Sequence, residues 1–175
     1  MSDLSLDTVT TTPVATWLDR VFNRLSGKRI ELNDEPYLTR YYLIGDGSGR
    51  GYELYLHHLQ QEDQSRWLHN HPWRWFFSIV LRGNYTQREL CPRTDTDERQ
   101  VRIRFMNFFR GQDRYHSITK IPEAGTWTLV LVPPKTQDTE EWGYWNSETG
   151  QHQPDLDNDE ENSTTIRFGP KQTFN

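Results

Sequence analysis

The sequence predicts an all-β domain with one helix near its amino terminus. Short segments rich in aromatic and β-branched residues recur from residue 38 onward, and turn residues such as Gly, Pro and Asn separate them. Helical periodicity is confined to one early stretch. The 175 residues fit a single domain that can bury a core without disulfides. Strands at such short intervals are typical of a β-sandwich or β-barrel.

The predicted helix begins at Thr12, a good N-cap, and Pro13 suits its first turn. Apolar residues then recur at helical spacing: Trp17, Leu18, Val21, Phe22 and Leu25. Gly27 is expected to end the helix, whose apolar stripe we expect to pack on the outside of a sheet. The polar residues 1–11 before it are expected to be disordered.

The strands predicted after the helix alternate with polar turns. They are LTRYYLI (38–44), YELYLHHL (52–59), WRWFFSIVL (73–81), YTQREL (85–90), VRIRF (101–105), RYHSI (114–118), TWTLVLV (126–132) and WGYW (142–145). Helix and strands together predict one domain over residues 12–148. Residues 149–175 are polar and rich in acidic side chains, and we expect them to form a tail.

Composition excludes several classes of protein. The formal net charge of −5 argues against a nucleic-acid partner, since such proteins carry a basic stripe. Cys91 is the single cysteine, so no intrachain disulfide forms and no oxidising compartment is implied. No apolar run approaches the roughly 18 residues that span a bilayer, and the first residues lack a signal-peptide pattern. We therefore expect a cytoplasmic protein without membrane contact.

His69 and His71 form the most informative pattern in the chain. On a strand, residues two apart project to the same face, so both imidazoles can reach one ion. A third histidine, His116, lies on a later predicted strand. Imidazole suits iron, zinc, copper or nickel. The alternative is a structural role, with His69 and His71 bonded to loop neighbours such as Asp63.

These residues resemble the cupin superfamily over roughly residues 38–145. In the first cupin motif, H-x-H is followed by a Glu and then a Gly; here His69, His71 and Gly83 match. His116 in FRGQDRYHSI matches the histidine of the second motif, although the Pro and Gly before it are replaced. The order of LHHL, LHNHPW, GNY, WTLVL and WGYW also resembles small uncharacterised cupin-like proteins of phages and bacteria. The resemblance implies a single cupin-type β-barrel, a double-stranded β-helix or jelly roll, with His69, His71 and His116 as metal ligands.

The chain departs from the cupin pattern at the glutamate position, which is Phe76, or Trp75 in the shorter form of the motif. The residue after H-P-W, often acidic in the uncharacterised proteins, is Arg74. Three histidines without a carboxylate resemble the iron sites of thiol dioxygenases and of some ring- or diketone-cleaving dioxygenases. This resemblance favours Fe(II), with Zn, Ni or Mn as alternatives, and leaves positions open for substrate and dioxygen.

Three functions therefore stand as hypotheses. The first is an Fe(II)-dependent dioxygenase that acts on a small molecule. The second is a non-oxidative metal-dependent isomerase, lyase or hydrolase, which requires a general base such as Glu53, Asp63 or Glu89. The third is a non-catalytic cupin that binds a small ligand, a reading favoured by the missing glutamate. The resemblance also implies a homodimer, since cupins often pair through edge strands.

Residues near the histidines supply candidates for catalysis and substrate binding. Alternation in YELYLHHL places Glu53, Tyr55 and His57 on one face of the strand and His58 on the other. Tyr55 and His57 are therefore candidate catalytic residues, and Glu53 or Asp63 is a candidate partner for the outer nitrogen of a histidine ligand. Two arginines, Arg66 and Arg40, are candidate binders of an anionic substrate, with Arg66 preferred because it is nearer in sequence.

Overall fold

The computed structural model describes residues 24–65, 67–110, 114–135, 142–154 and 163–169. In these ranges the chain forms thirteen β-strands and no helix. The first seven are β1 Gly27–Leu32, β2 Glu35–Ile44, β3 Glu53–Leu59, β4 Leu68–His69, β5 Phe76–Arg82, β6 Tyr85–Leu90 and β7 Arg99–Ile103. The others are β8 Met106–Phe109, β9 Tyr115–Lys120, β10 Thr126–Val132, β11 Tyr144–Asn146, β12 Gln151–Gln153 and β13 Ser163–Phe168. The all-β prediction is confirmed.

The strands form two antiparallel sheets. The larger sheet has the order β13-β1-β2-β3-β10-β5-β8, and the smaller has the order β12-β11-β4-β9-β6-β7. No strand of one sheet pairs with a strand of the other within the described residues. The prediction of a closed barrel was therefore wrong for this part of the chain, because the two sheets meet through side chains and not through a continuous hydrogen-bond ladder.

Side-chain alternation assigns one face of the larger sheet to the interior. In β3 and β10 every second residue is buried, so Glu53, Tyr55 and His57 point inward and His58 points to the other face. The predicted alternation in β3 is confirmed. β3 lies between β2 and β10 and is hydrogen-bonded along both edges. Its two faces therefore differ only in the side chains that they carry.

An apolar cluster joins the two sheets. Leu38 and Leu59 of the larger sheet pack with Tyr85, Ile103 and Ile118 of the smaller sheet. Burial of each such side chain contributes about 1.5–3 kcal/mol to folding. This contact holds the inner faces of the sheets against each other at one end, next to the cavity described below.

The chain ends differ from the sequence prediction. The predicted helix from Thr12 lies mostly outside the described residues, but Gly27, expected to end it, is the first residue of β1. A Cβ at Gly27 would lie 2.1 Å from the carbonyl oxygen of Arg40, so the close approach of β2 explains this glycine better than a helix end does. Residues 149–175, expected to be a tail, supply β12 and β13, and β13 pairs with β1 along its whole length.

Within the described ranges, no helix is long and apolar enough to cross a membrane.

Replacing Phe109 tests the packing of the interior. Phe109 is fully buried, stacks on Phe76 at 5.1 Å between ring centroids and lies 4.7 Å from the ring of His116. We expect Phe109→Ala to lower the free energy of unfolding by about 3–5 kcal/mol, measured by urea denaturation. Phe108→Ala is the matched control, since Phe108 is 53% exposed, and it should cost less than about 1 kcal/mol. Equal losses in the two variants would contradict the assignment of the inner face.

Candidate metal centre

His69, His71 and His116 meet in the interior of the protein. One ring nitrogen from each lies within 4.8 Å of the others. His69 ends β4 and pairs directly with His116 of β9, so the smaller sheet sets their separation. His71 lies beyond the end of β4, and its ring centroid is 4.9 Å from that of His116. The structure thus brings together the three histidines that the sequence singled out.

Asn70 explains how two histidines outside one regular strand still face the same centre. The sequence predicted a strand through the H-x-H pair, but β4 ends at His69. The alternation continues because Asn70, which is 1% exposed, is held in the opposite direction: its Oδ1 accepts a hydrogen bond from the Gly143 amide at 2.8 Å, and its own amide donates to the Gly143 carbonyl at 3.1 Å. Gly143 is itself required by the close approach of β12, since a Cβ there would lie 2.2 Å from the Gln153 carbonyl oxygen.

The spacing of the ring nitrogens fits a metal ion. Nε2 of His71 and Nε2 of His116 are 2.8 Å apart. Two imidazoles that bind one ion at about 2.0–2.1 Å, at right angles to each other, place their nitrogens about 3 Å apart. The same separation also allows a hydrogen bond between a protonated and an unprotonated nitrogen, so the spacing is compatible with a metal without requiring one. The donor set, three imidazoles, suits a first-row transition metal.

Burial keeps His71 and His116 neutral, which is the form that binds metals. Desolvation lowers the pKa of His116 well below its ordinary value, and the charges of His69 and His71 lower that pKa further. Desolvation likewise lowers the pKa of His71, with added effects of His69 and Arg40. His71 is only half-buried by surface area, and it lines the cavity described below.

Gln87 orients the imidazole of His116, and sequence reasoning missed it. The Nδ1 of His116 lies 3.1 Å from Oε1 of Gln87, an oxygen that only accepts, so Nδ1 carries the proton and Nε2 presents a lone pair to the centre. Gln87 is fully buried and is fixed in turn, since its Nε2 donates to Oε2 of Glu89 at 2.9 Å. The only signal in the sequence was alternation in β6, which places Gln87 on the inner face.

Asp63 lies beside the outer nitrogen of His69, as expected for a partner of a ligand. Its Oδ2 is 3.8 Å from Nδ1 of His69 and accepts a hydrogen bond from the Ile118 amide at 2.6 Å. Its Oδ1 accepts a short hydrogen bond from the Tyr37 hydroxyl. The other candidate, Glu53, instead accepts from the Gly49 amide and the Tyr55 hydroxyl. Of the two candidates, Asp63 is therefore the carboxylate that lies beside the cluster, at a distance longer than a direct hydrogen bond.

Aromatic rings occupy the place where many cupins have a glutamate. The ring of Phe76 meets His71 edge to face at 5.0 Å between centroids, and Phe109 meets it at 5.9 Å. Trp73 stacks on His71 at 5.5 Å. Among the described residues, no carboxylate joins the three histidines. With Phe76 at the glutamate position, the described part of the chain therefore offers the cluster no carboxylate ligand.

The histidines line a cavity of about 590 Å³ between the two sheets. The larger sheet contributes Arg40, Tyr55 and His57 to its wall. Arg40 donates from Nε to Nε2 of His57 at 2.8 Å, and its guanidinium lies 4.4 Å over the ring of Tyr55. Tyr55 stacks on His57 at 5.5 Å between centroids. Of the candidates for catalysis, Tyr55 and His57 thus reach the cavity, whereas Arg66 lies outside the described residues.

Comparisons with known proteins do not establish a family for this chain. No protein-family model and no curated protein matches it. Among solved structures, the hydroxypropylphosphonic acid epoxidase from S. wedmorenis is 14% identical with a TM-score of 0.41, over 61% of this chain and 55% of that chain. A putative mannose-6-phosphate isomerase from Ralstonia eutropha JMP134 is 15% identical with a TM-score of 0.41, over 55% of this chain and 83% of that one. The polyketide cyclase RemF from Streptomyces resistomycificus is 21% identical with a TM-score of 0.38, over 57% of this chain and 66% of that chain.

The chain spans little more than half of the epoxidase, at 55% of its length. With TM-scores below 0.5, these similarities assign neither a fold family nor an activity. The inferences below therefore rest on the residues of this chain.

The neutral histidines predict that the metal-free protein loses stability in mild acid. Burial lowers the pKa of His57, His71 and His116 below the ordinary value. As the pH falls, the unfolded chain therefore binds protons at these histidines while the native state does not, and the free energy of unfolding decreases. Above about pH 6.5 both states are neutral and the effect vanishes. Between about pH 6.5 and pH 5 we expect a loss on the order of 1 kcal/mol per histidine.

Urea unfolding of chelator-treated protein at several pH values measures this loss. In His116→Leu, the free energy of unfolding should depend less on pH, by the contribution of one histidine. A free energy of unfolding that stays constant down to pH 5 would contradict a native state in which these buried histidines are neutral.

Gln87→Leu tests the orientation of His116. The variant keeps the size of the side chain but removes the acceptor for Nδ1–H, so we expect metal affinity to fall by about 10–100-fold, measured by competition with a chelator. Gln100→Leu on the exposed edge strand β7 is the control and should retain the affinity of the unmodified protein. Unchanged affinity in Gln87→Leu would show that this hydrogen bond does not support a metal ligand.

Proposed function

We propose that this protein is a metal-dependent cupin oxygenase: a three-histidine Fe(II) dioxygenase that acts on a small molecule. The observation that supports the proposal is the meeting of three imidazole nitrogens within 4.8 Å on the wall of a cavity, with no carboxylate among the described ligands. His69, His71 and His116 would hold the ion. A bound Fe(II) with three protein ligands supplies open positions at which substrate and dioxygen can be activated together.

The residues around the cluster favour a reaction in which water is excluded. Phe76, Phe109 and Trp73 cover one side of the histidines with aromatic surface, and the two phenylalanine rings carry no hydrogen-bonding group that would hold a water there. A dry wall protects reactive species from solvent and strengthens electrostatic contacts. The cavity volume of about 590 Å³ is within the range for small-molecule sites, about 300–1,000 Å³.

The alternative of a non-oxidative metal enzyme needs a general base near the ion, and the three candidate carboxylates are engaged elsewhere. Glu89 binds Arg99 at 2.7 Å and Gln87 at 2.9 Å, and Glu53 binds Tyr55 and the Gly49 amide. Asp63 accepts from Tyr37 and from the Ile118 amide. The neutral His57 likewise uses Nε2 to accept from Arg40. A reaction that depends on redox chemistry at the ion, and not on a protein base, suits this arrangement better.

Metal content tests the ligand assignment. We expect about one ion per chain in the purified or anaerobically reconstituted protein, since three ligands define one site, and its loss in His69→Ala and His116→Ala. His58→Ala is the matched control: His58 stacks on Trp127 at 4.2 Å on the outer face of β3, so the variant should keep its metal. Elemental analysis measures both. Full metal content in His116→Ala would contradict the assignment of the three-histidine site.

Iron chemistry tests the oxygenase itself. The Fe(II)-reconstituted protein should give the EPR signal that nitric oxide, a surrogate for dioxygen, induces at Fe(II) sites with an open position, and His69→Ala should not. It should also consume dioxygen in the presence of a substrate. Retention of zinc or nickel against excess Fe(II), with no signal from nitric oxide, would favour the non-oxidative alternative. A protein that binds no metal at all would be a non-catalytic ligand-binding module.

A further inference from the structure

A row of polar residues crosses the inner face of the larger sheet. Lys28 of β1 is the register partner of Arg40 of β2, Arg40 is the partner of His57 of β3, and His57 is the partner of Thr128 of β10. All four residues line the cavity that the metal-binding histidines also line. The row therefore presents two cations to the same cavity, from the sheet that carries none of the three histidines.

Arg40 is a cation without a carboxylate partner among the described residues. Its Nε donates to His57, and Tyr55 supports the face of its guanidinium. No hydrogen bond or ion pair from its two Nη groups to a described residue is present, although Arg40 lines the cavity. Burial lowers the pKa of Arg40, which shows that its charge is poorly solvated. An inward-facing guanidinium whose terminal N–H groups remain available can bind an oxyanion through two parallel hydrogen bonds.

The charges around the cavity also call for an anion. The buried carboxylate of Glu53 acts on the charge of Arg40 from outside the lining. Among the described residues that line the cavity, Lys28, Arg40 and Lys135 stand against one carboxylate, that of Asp63. That carboxylate accepts from Tyr37 and from the Ile118 amide, and lies beside His69. Neutral histidines add no negative charge, and a divalent ion on them would increase the positive excess. Because a charge in a poorly solvated space is stabilised mainly by an opposite charge, the occupant of this cavity should be negative.

We propose that Arg40, with Lys28 beside it, binds the carboxylate or phosphate-type group of an anionic small-molecule substrate. The acidic group would lie against the larger sheet, and the rest of the molecule would extend toward the histidines of the smaller sheet. Tyr55 and His57 are positioning residues for Arg40: one supports its face and the other accepts from its Nε. The inference that the bound anion is a substrate rests on the proposed function, whereas the anion site itself does not.

Calorimetric titration with inorganic phosphate and, separately, with acetate tests the anion site and distinguishes the two kinds of oxyanion. We expect the unmodified full-length chain to bind at least one of them, and Arg40→Met to weaken that binding by about tenfold or more, since a charged hydrogen-bonding group is lost. Arg40→Lys should recover part of the affinity, because the charge remains but the planar fork does not. The exposed Arg104→Met is the control and should leave binding unchanged.

His69→Ala separates this proposal from the proposed function. Anion binding that persists in His69→Ala and is lost in Arg40→Met supports the Arg40 site, whatever metal the protein carries. The opposite pattern, loss in His69→Ala and retention in Arg40→Met, would place the anion on the metal and overturn the site. No binding of either anion by the unmodified chain would overturn it as well. If Arg40→Met does not fold, the anion affinity of Lys28→Met tests the site instead. Unchanged affinity in that variant would also overturn the proposal.

Discussion

The pairing of His69 with His116 is the contact on which the candidate site depends. β4 has only two residues, and one of them, Leu68, is fully buried between Leu90 and Tyr115. Because neighbouring strand residues point to opposite faces, burial of Leu68 on one side forces His69 to the other. The smaller sheet then sets His69 directly opposite His116. A slip of one residue in this short strand would exchange the two side chains and dismantle the cluster.

A second constraint follows from burial. Imidazoles in a poorly solvated interior must have partners for their outer nitrogens, or the cost of desolvation is not compensated. Gln87 meets this need for His116, and Asp63 lies beside the outer nitrogen of His69. These partners come from β6 of the smaller sheet and from the connection between β3 and β4, so the site is not defined by the H-x-H segment alone. The hydrogen bond that satisfies the outer nitrogen of His116 also aims its inner lone pair at the cluster.

The sequence predicted the strands and the histidines well because both have local signals. β6 and β10 have the predicted bounds, and alternation in β3 correctly put Tyr55 and His57 on one face of the strand. Contacts between distant segments had no such signal. Asn70 and Gly143 meet only because the later chain returns beside β4, and nothing near Gln87 marks it as a partner of His116. The strand β13 was missed for a related reason: its polar residues form an exposed edge strand, whose pairing with β1 depends on backbone hydrogen bonds more than on apolar side chains.

The two inner faces of the molecule therefore carry different chemistry. The smaller sheet and the segment after β4 carry the three clustered histidines, and the larger sheet carries Arg40, which contacts Tyr55 and His57. A ligand that reaches both must have an acidic group at one end and a group able to approach a metal at the other, and binding at the acidic end would limit how the other end turns. Such fixed orientation lowers the entropic cost of reaction at the ion, an effect that can contribute several kcal/mol to catalysis. Because Arg40 reaches this position through β2 and the histidines through β4 and β9, the packing of Leu38 and Leu59 on Tyr85 and Ile118 sets the distance over which a substrate must extend.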